Sequence, residues 1–318
     1  MRGVVAGVDI GGTNTAIGLV TREGVILEET TISTKSSITF DAYIAKLVQE
    51  VSRMLGNQGN GCSLLGIGVG APNGSMSRGG IINPPNLRWK GFLPIADEMH
   101  KHLNVKVKVI NDAKAAALGE LVFGAGKGMK NFIVVTLGTG LGGGVVVNGG
   151  VLMGEDEMAG ELGHTSVRTD GRHCGCGKRG CLETYVSATG LSRTAVKLIV
   201  DHNRNSSLSQ FTVNEINAKK VADAAQQGDK VALEAFEYTG RVFGVKLADF
   251  VAILNPEAII VTGGLSKAGE LILEPTRRHM EQNLFPIYRG KVKVLPSGLN
   301  GQNAGVIGAS VLIWQDQE

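Results

Sequence analysis

The sequence predicts an α/β protein built from two domains. Three observations predict it. Short apolar runs alternate with stretches of helical periodicity along the chain. A pattern of apolar run, glycine-rich turn, apolar run, second turn and third run occurs at the N-terminus and returns at Phe132. The chain has 318 residues, more than one ordinary core accommodates. The two patterns begin about 130 residues apart, too far for a solenoid repeat. They read as one β-meander used once in each of two related domains, over residues 1–115 and 116–318.

In the first copy, Asp9 ends the opening run, Gly11-Gly12-Thr13 makes the turn, and Ala16 to Val20 runs back toward a second turn at Glu23-Gly24. Ile44, Leu47, Val48, Val51 and Leu55 then recur at helical spacing. Leu64 to Gly70 and Val105 to Ile110 read as strands. After Asp112 an alanine-rich stretch predicts a helix stopped by Gly124. The second copy carries a Gly-Thr-Gly turn and then Asn148-Gly149, a hairpin dipeptide. A helix is expected over Arg241 to Leu254, ended by Asn255-Pro256, and a buried strand over Ala258 to Thr262. The tail from Gly305 to Trp314 reads as a small-residue helix able to pack back on the first domain.

Composition narrows the function. Hydrophobic residues make up 43% and charged residues 19%, a globular balance. A net charge of +3, with two Trp and four Tyr, gives neither a basic field nor a stacking platform, so no nucleic-acid partner is expected. No charged residue falls between Asn131 and Gly154, a length that could span a bilayer. Its glycines and hairpin dipeptide argue for strand, turn and strand instead, so no membrane partner is expected. The N-terminus lacks the features of a signal peptide, and the expected compartment is the cytoplasm. Three of four cysteines crowd into Cys174, Cys176 and Cys181, which in a reducing compartment suggests metal before disulfides.

Asp9-Ile-Gly11-Gly12-Thr13-Asn14 is the first chemical motif. Two glycines let backbone N–H groups approach an anion, the threonine adds a donor, and the aspartate could hold Mg²⁺ directly or through water. A tight hairpin without ligand would look the same. The second turn, Leu137-Gly138-Thr139-Gly140, lacks the lysine of a Walker motif and the following helix of a dinucleotide fingerprint. Two such turns, one per domain, could clamp a polyphosphate. Asn111-Asp112 follows a strand and enters a helix, so Asp112 reads as a general base or as a helix N-cap. Glu161-Leu-Gly-His164 followed by Cys174, Cys176 and Cys181 supplies the Cys₃His set of a structural zinc site. His173 is a rival ligand, but joint ligation with its neighbour Cys174 is sterically awkward. Glu161 and His164, three apart, would share a face of one helical turn, and Glu183 follows the last cysteine.

With these motifs in view, the whole chain resembles the ROK family of sugar kinases and sugar-responsive repressors, within the actin-like, hexokinase-like ATPase folds. The resemblance implies a ribonuclease H-like motif in each domain, with a central mixed sheet flanked by helices. It implies that Asp9, Gly11, Gly12, Thr13, Asn14, Gly138, Thr139 and Gly140 serve the phosphates of ATP with Mg²⁺. Gly263-Gly264 resembles the adenosine-side segment. It further implies Asp112 as catalytic base, with Asn111, Glu161, His164 and Glu183 on the sugar, and His164, Cys174, Cys176 and Cys181 on zinc.

Asn83-Pro84-Pro85-Asn86-Leu87-Arg88-Trp89 resembles the family's segment lining the sugar side, with Asn86 as a contact. Trp89 then reads either as a face for the sugar ring or as a core residue. Many relatives place glycine directly after the proline of Ala71-Pro72-Asn73-Gly74. Here Asn73 intervenes, so Asn73 and Gly74 are both candidate sugar contacts. The expected activity is ATP-dependent phosphorylation of a hexose, foremost glucose to glucose 6-phosphate. An N-acetylmannosamine or N-acetylglucosamine kinase is the alternative. The family's repressors carry an added N-terminal helix-turn-helix domain, for which DIGGTN at residue 9 leaves no room. A homodimer or homotetramer is expected.

Overall fold

The computed structural model describes residues 1–202, 206–299 and 301–317. The chain opens with an antiparallel meander of β1 (Arg2–Ile10), β2 (Asn14–Val20) and β3 (Ile26–Ser33). Helix α1 (Phe40–Asn57) follows, capped by Thr39, whose side chain accepts from Ala42 N. Next come β4 (Cys62–Ala71), β5 (Gly74–Ser75), β6 (Gly80–Ile82), β7 (Phe92–Leu93), α2 (Ile95–His100), β8 (Lys106–Asn111) and α3 (Asp112–Val122). The second copy is β9 (Phe132–Leu137), β10 (Leu141–Val147) and β11 (Gly150–Val151). After a long segment with short 3₁₀ turns come α4 (Ala188–His202), α5 (Ala218–Gln226) and α6 (Lys230–Leu254). The chain ends with β12 (Ala258–Thr262), α7 (Glu270–Asn283), β13 (Lys293–Pro296) and α8 (Ala304–Trp314).

Two five-stranded sheets result, in the orders β3-β2-β1-β4-β8 and β11-β10-β9-β12-β13. Counted within each copy, the order is the same: third, second, first, fourth, fifth. In the first sheet β2 and β3 run antiparallel while β4 and β8 run parallel to β1. In the second, β12 is parallel to both β9 and β13. The uncharged stretch from Asn131 to Gly154 is β9, β10 and β11. Asn148 and Gly149 turn the hairpin with φ of 53° and 79°, the two left-handed positions that its tightest turn requires. Among the described residues no helix is long and apolar enough to cross a membrane.

The chain forms two compact units. Unit 1 comprises Met1–Met129, Gly144–Ala159 and Ser297–Glu318; unit 2 comprises Lys130–Gly143 and Gly160–Pro296. In unit 1, strand alternation sends Val4, Ala6, Val8 and Ile10 into a core shared with Tyr43, Ile44 and Leu47 of α1. The other face of β1 and β4 is lined with glycine. A Cβ at Gly7 would stand 2.0 Å from the Val306 carbonyl oxygen, and one at Gly68 only 1.8 Å from that of Ala309. The glycines therefore let α8 lie directly on the sheet, and Gly305 to Ile313 are buried all round. In unit 2 the long α6 buries Phe236, Phe243 and Leu247 in the second core and packs on α7.

Candidate active site

In unit 1 the first glycine turn closes where Gly11 N donates to Asn14 O at 2.9 Å. Its shape is held from beneath. Thr34 N donates to Thr13 O at 2.9 Å and Thr34 Oγ1 to Gly11 O at 2.8 Å. Thr15 Oγ1 lies 2.8 Å from Thr34 Oγ1 and 2.6 Å from the Tyr43 hydroxyl, all three side chains being buried. A Cβ at Gly12 would stand 2.9 Å from both Asn86 Cβ and Asn86 O. The Asn86 segment thus packs on this turn. Trp89 packs edge-on against Phe40 and tilted against Tyr43, at 5.7 and 4.8 Å, and donates from Nε1 to Ile38 O at 3.2 Å. It serves as a packing residue of this loop.

Asp9 stands at the end of β1 beside the first turn of α8, where a Cβ at Gly305 would lie 2.5 Å from its carboxyl. Burial first, then the nearby charges of Asp112 and Glu29, push its carboxyl up to about 7.

At the end of β8, Asn111 and Asp112 both meet the N-terminus of α3. Asn111 is the N-cap of α3: its Oδ1 accepts from Ala113 N at 3.0 Å and Lys114 N at 3.2 Å. Asp112 is already the first helical residue, with Oδ1 accepting from Ala113 N at 2.8 Å. Both side chains thus accept from the first backbone N–H groups of the helix, Asn111 as its N-cap.

Asn73 sits at φ 54°, a left-handed backbone that glycine adopts freely and asparagine tolerates. Its Nδ2 donates to Ile82 O at 3.1 Å and Asn83 O at 3.3 Å, closing the β5–β6 hairpin. Gly74 is the residue in close approach, since its Cβ would stand 2.2 Å from Ile110 O, next to Asn111.

In unit 2 the second glycine turn closes through Gly138 N to Gly140 O at 3.0 Å. Segment 183–189 supports it. Ala188 N donates to Gly138 O at 2.9 Å, Thr189 Oγ1 to Thr139 O at 2.9 Å, and Leu141 N to Glu183 Oε2 at 3.0 Å. Gly263, at φ 92°, backs onto Leu137, while Gly264 faces open space. Glu161 precedes the 3₁₀ turn Leu162–His164, and its Oε2 lies 4.0 Å from His164 Nε2.

The side-chain donors of His164, Cys174, Cys176 and Cys181 all lie within 4.8 Å of one another. Cys174 Sγ is 3.7 Å from His164 Nδ1, and Cys176 Sγ is 3.7 Å from Cys181 Sγ. A tetrahedron with Zn–S of about 2.3 Å has edges of about 3.8 Å, so the four groups fit zinc. His173 is outside this group and exposed. If Nδ1 ligates, Nε2 of the same ring faces Glu161.

Sequence reasoning missed the residues that hold these parts in place. Thr15, Thr34 and Tyr43 under the first turn are ordinary strand and helix letters; only a threonine at an inward strand position hinted at them. Arg172 gave no signal. Its guanidinium donates to Thr184 O at 2.8 Å, Gly190 O at 3.1 Å and Thr194 Oγ1 at 3.0 Å, and lies 4.6 Å over the Tyr185 ring. It staples the cysteine-bearing segment to the residues that follow Glu183.

Two sheets of one strand order, each offering a glycine turn beside its first strand, define the hexokinase-like class of ATPase fold. The profile of the ROK family matches residues 5–316, and the chain belongs to that family. A glucokinase of Halalkalibacterium halodurans is 37% identical over 98% of this chain and 95% of its own. A crystal structure of a ROK family glucokinase from Streptomyces griseus in complex with glucose and AMPPNP superposes with a TM-score of 0.84. It is 36% identical and covers 98% of this chain and 99% of that one. A ROK family transcriptional regulator homologous to the MLC protein of E. coli has a TM-score of 0.87 at 26% identity, over 99% of this chain and 78% of the regulator.

Proposed function

We propose that this protein transfers the γ-phosphoryl group of ATP to a hexose, with glucose as the preferred acceptor and glucose 6-phosphate as product. The observation that carries the reading is the similarity to glucokinases over nearly the whole chain, at 37% and 36% identity. Asp112 follows Asn111, the N-cap of α3, at the end of β8. Asp112 accepts the proton of the 6-hydroxyl as that oxygen bonds to the γ-phosphorus and the bond to ADP breaks. With its Oδ1 in the cap, Asn111 offers Nδ2 to a neighbouring hydroxyl. The backbone N–H groups of both glycine turns receive the phosphates. Asp9 is the residue to hold Mg²⁺, which supplies charge neutralisation on the phosphates when bound.

Glu161, His164 and Glu183 hold the remaining hydroxyls. Zinc on His164, Cys174, Cys176 and Cys181 contributes no chemistry of its own; it fixes the ring and loop that carry these contacts. The 37% and 36% identities to glucokinases support glucose over the N-acetyl sugars. We further propose a cytoplasmic homodimer or homotetramer that engages no nucleic acid. A coupled assay across glucose, mannose, fructose, N-acetylmannosamine and N-acetylglucosamine tests the reading. Glucose should give the highest kcat/KM, and a higher value for either N-acetyl sugar would replace it.

A further inference from the structure

Glu183 is held by the second glycine turn itself. Its Oε2 accepts from Leu141 N at 3.0 Å, while Oε1 lies 3.7 Å from Cys174 Sγ. The approach is built into the turn: a Cβ at Gly140 would stand 2.2 Å from Oε2, so a side chain there would displace the carboxylate from this position. A backbone N–H leaving a Gly-Thr-Gly turn is a donor that anions take. A carboxylate resting on it places negative charge where phosphate is expected. The same carboxylate is expected to accept from a sugar hydroxyl.

We propose that Glu183 couples the two substrates. In the sugar-free protein its charge and its hold on the Leu141 N–H oppose the phosphates of the nucleotide. A sugar hydroxyl donating to this carboxylate draws it from Leu141 and opens the turn. ATP alone then binds weakly and is spared from transfer to water, and linkage requires ATP to tighten sugar by the same factor. The proposal rests on the hexose kinase reading.

The test uses zinc-replete protein and titrates Mg-AMPPNP calorimetrically with and without saturating glucose. Glucose should tighten the analogue about tenfold in the parent, within the usual range of such couplings. Glu183→Gln keeps the shape and removes the charge. Without glucose it should bind the analogue about as tightly as the glucose-bound parent, with less than about twofold further gain on adding glucose. A variant that binds no tighter than the sugar-free parent overturns the proposal.

Amide exchange in the parent is independent of how the variant folds. Glucose alone should speed exchange at Leu141 by about tenfold as its acceptor leaves. Unchanged or slower exchange overturns the proposal. Phosphorylation of glucose by the parent is measured first. If the parent phosphorylates no hexose, the functional reading itself fails. If it does and analogue binding ignores glucose, only the coupling fails.

Discussion

Replacing Asn73 by alanine and by glycine separates a backbone role from a sugar contact. At φ 54° an alanine would carry the left-handed penalty of about 1–2 kcal/mol. Both variants lose the hydrogen bonds from Nδ2 to Ile82 O and Asn83 O, each worth about 0.5–1.5 kcal/mol net. Asn73→Ala should therefore cost roughly 2–5 kcal/mol. Asn73→Gly loses the same bonds but relaxes the backbone, and should cost roughly 1–2 kcal/mol less than the alanine variant. Urea unfolding of the three proteins reads the order directly. Because the side chain of Asn73 is occupied with its own hairpin, the glycine variant should keep glucose KM within about threefold of the parent. Two results would refute this reasoning. One is an alanine variant as stable as the glycine one. The other is a glycine variant of parental stability with glucose KM raised more than about tenfold, which would mean that the Asn73 side chain touches the sugar.

Asp112→Asn should lower kcat by at least ~10²-fold while glucose and AMPPNP binding stay near parental values; kcat within about threefold would remove Asp112 as base. Elemental analysis of chelator-washed protein should find one zinc per chain, and stripping it should raise glucose KM and lower the unfolding temperature together. Asp9 sets a pH dependence of unusual sign. Burial and the neighbouring acids raise its folded carboxyl from the ordinary 3.8 to about 7, so from about pH 4 to 7 the folded state keeps a proton that the unfolded chain has lost. Stability should fall as pH rises across that window and level off above it, and Asp9→Asn should flatten the fall in denaturation midpoints taken between pH 5 and 8.

What could be read from the sequence was what repeats or alternates. The meanders announced themselves because run, turn and run leave a period of two broken by glycine, and the strand Ala258–Thr262 stands where it was expected. The helix ending at Asn255 begins at Lys230 and not at Arg241, because Asp229 caps it by accepting from Val231 N and Ala232 N. The apolar density of its second half hid that start. Helix α7 was missed for a related reason: it is largely polar and carries Pro275, which argues against a helix when tertiary packing is unseen. The small β5–β6–β7 sheet has strands of two or three residues, too short for any pattern. Among the candidate residues, those with distinctive spacing were legible, as with the four donors gathered within 4.8 Å. Supports such as Arg172 and Thr34 act through carbonyl oxygens, which have no letter in a sequence.

The two meanders share a strand order, yet their turns are braced by different means. The first turn is held by Thr34, Thr15 and Tyr43, side chains that belong to the meander and to the helix directly after it. That bracing is local and buried, and it has no titrating group near neutrality. The second turn is held by Glu183, Ala188 and Thr189, which come from beyond the cysteine-bearing insertion that follows β11. Its bracing depends on a segment of little regular structure, pinned by Arg172 and by four potential metal ligands. A local buried brace can only keep a turn in one shape. A brace that ends in a polar side chain can respond to what that side chain binds, because binding can draw it from the turn. If Glu183 couples the two substrates as proposed, the cysteine-bearing segment would put one glycine turn under the control of the acceptor, which a symmetric pair of turns could not provide.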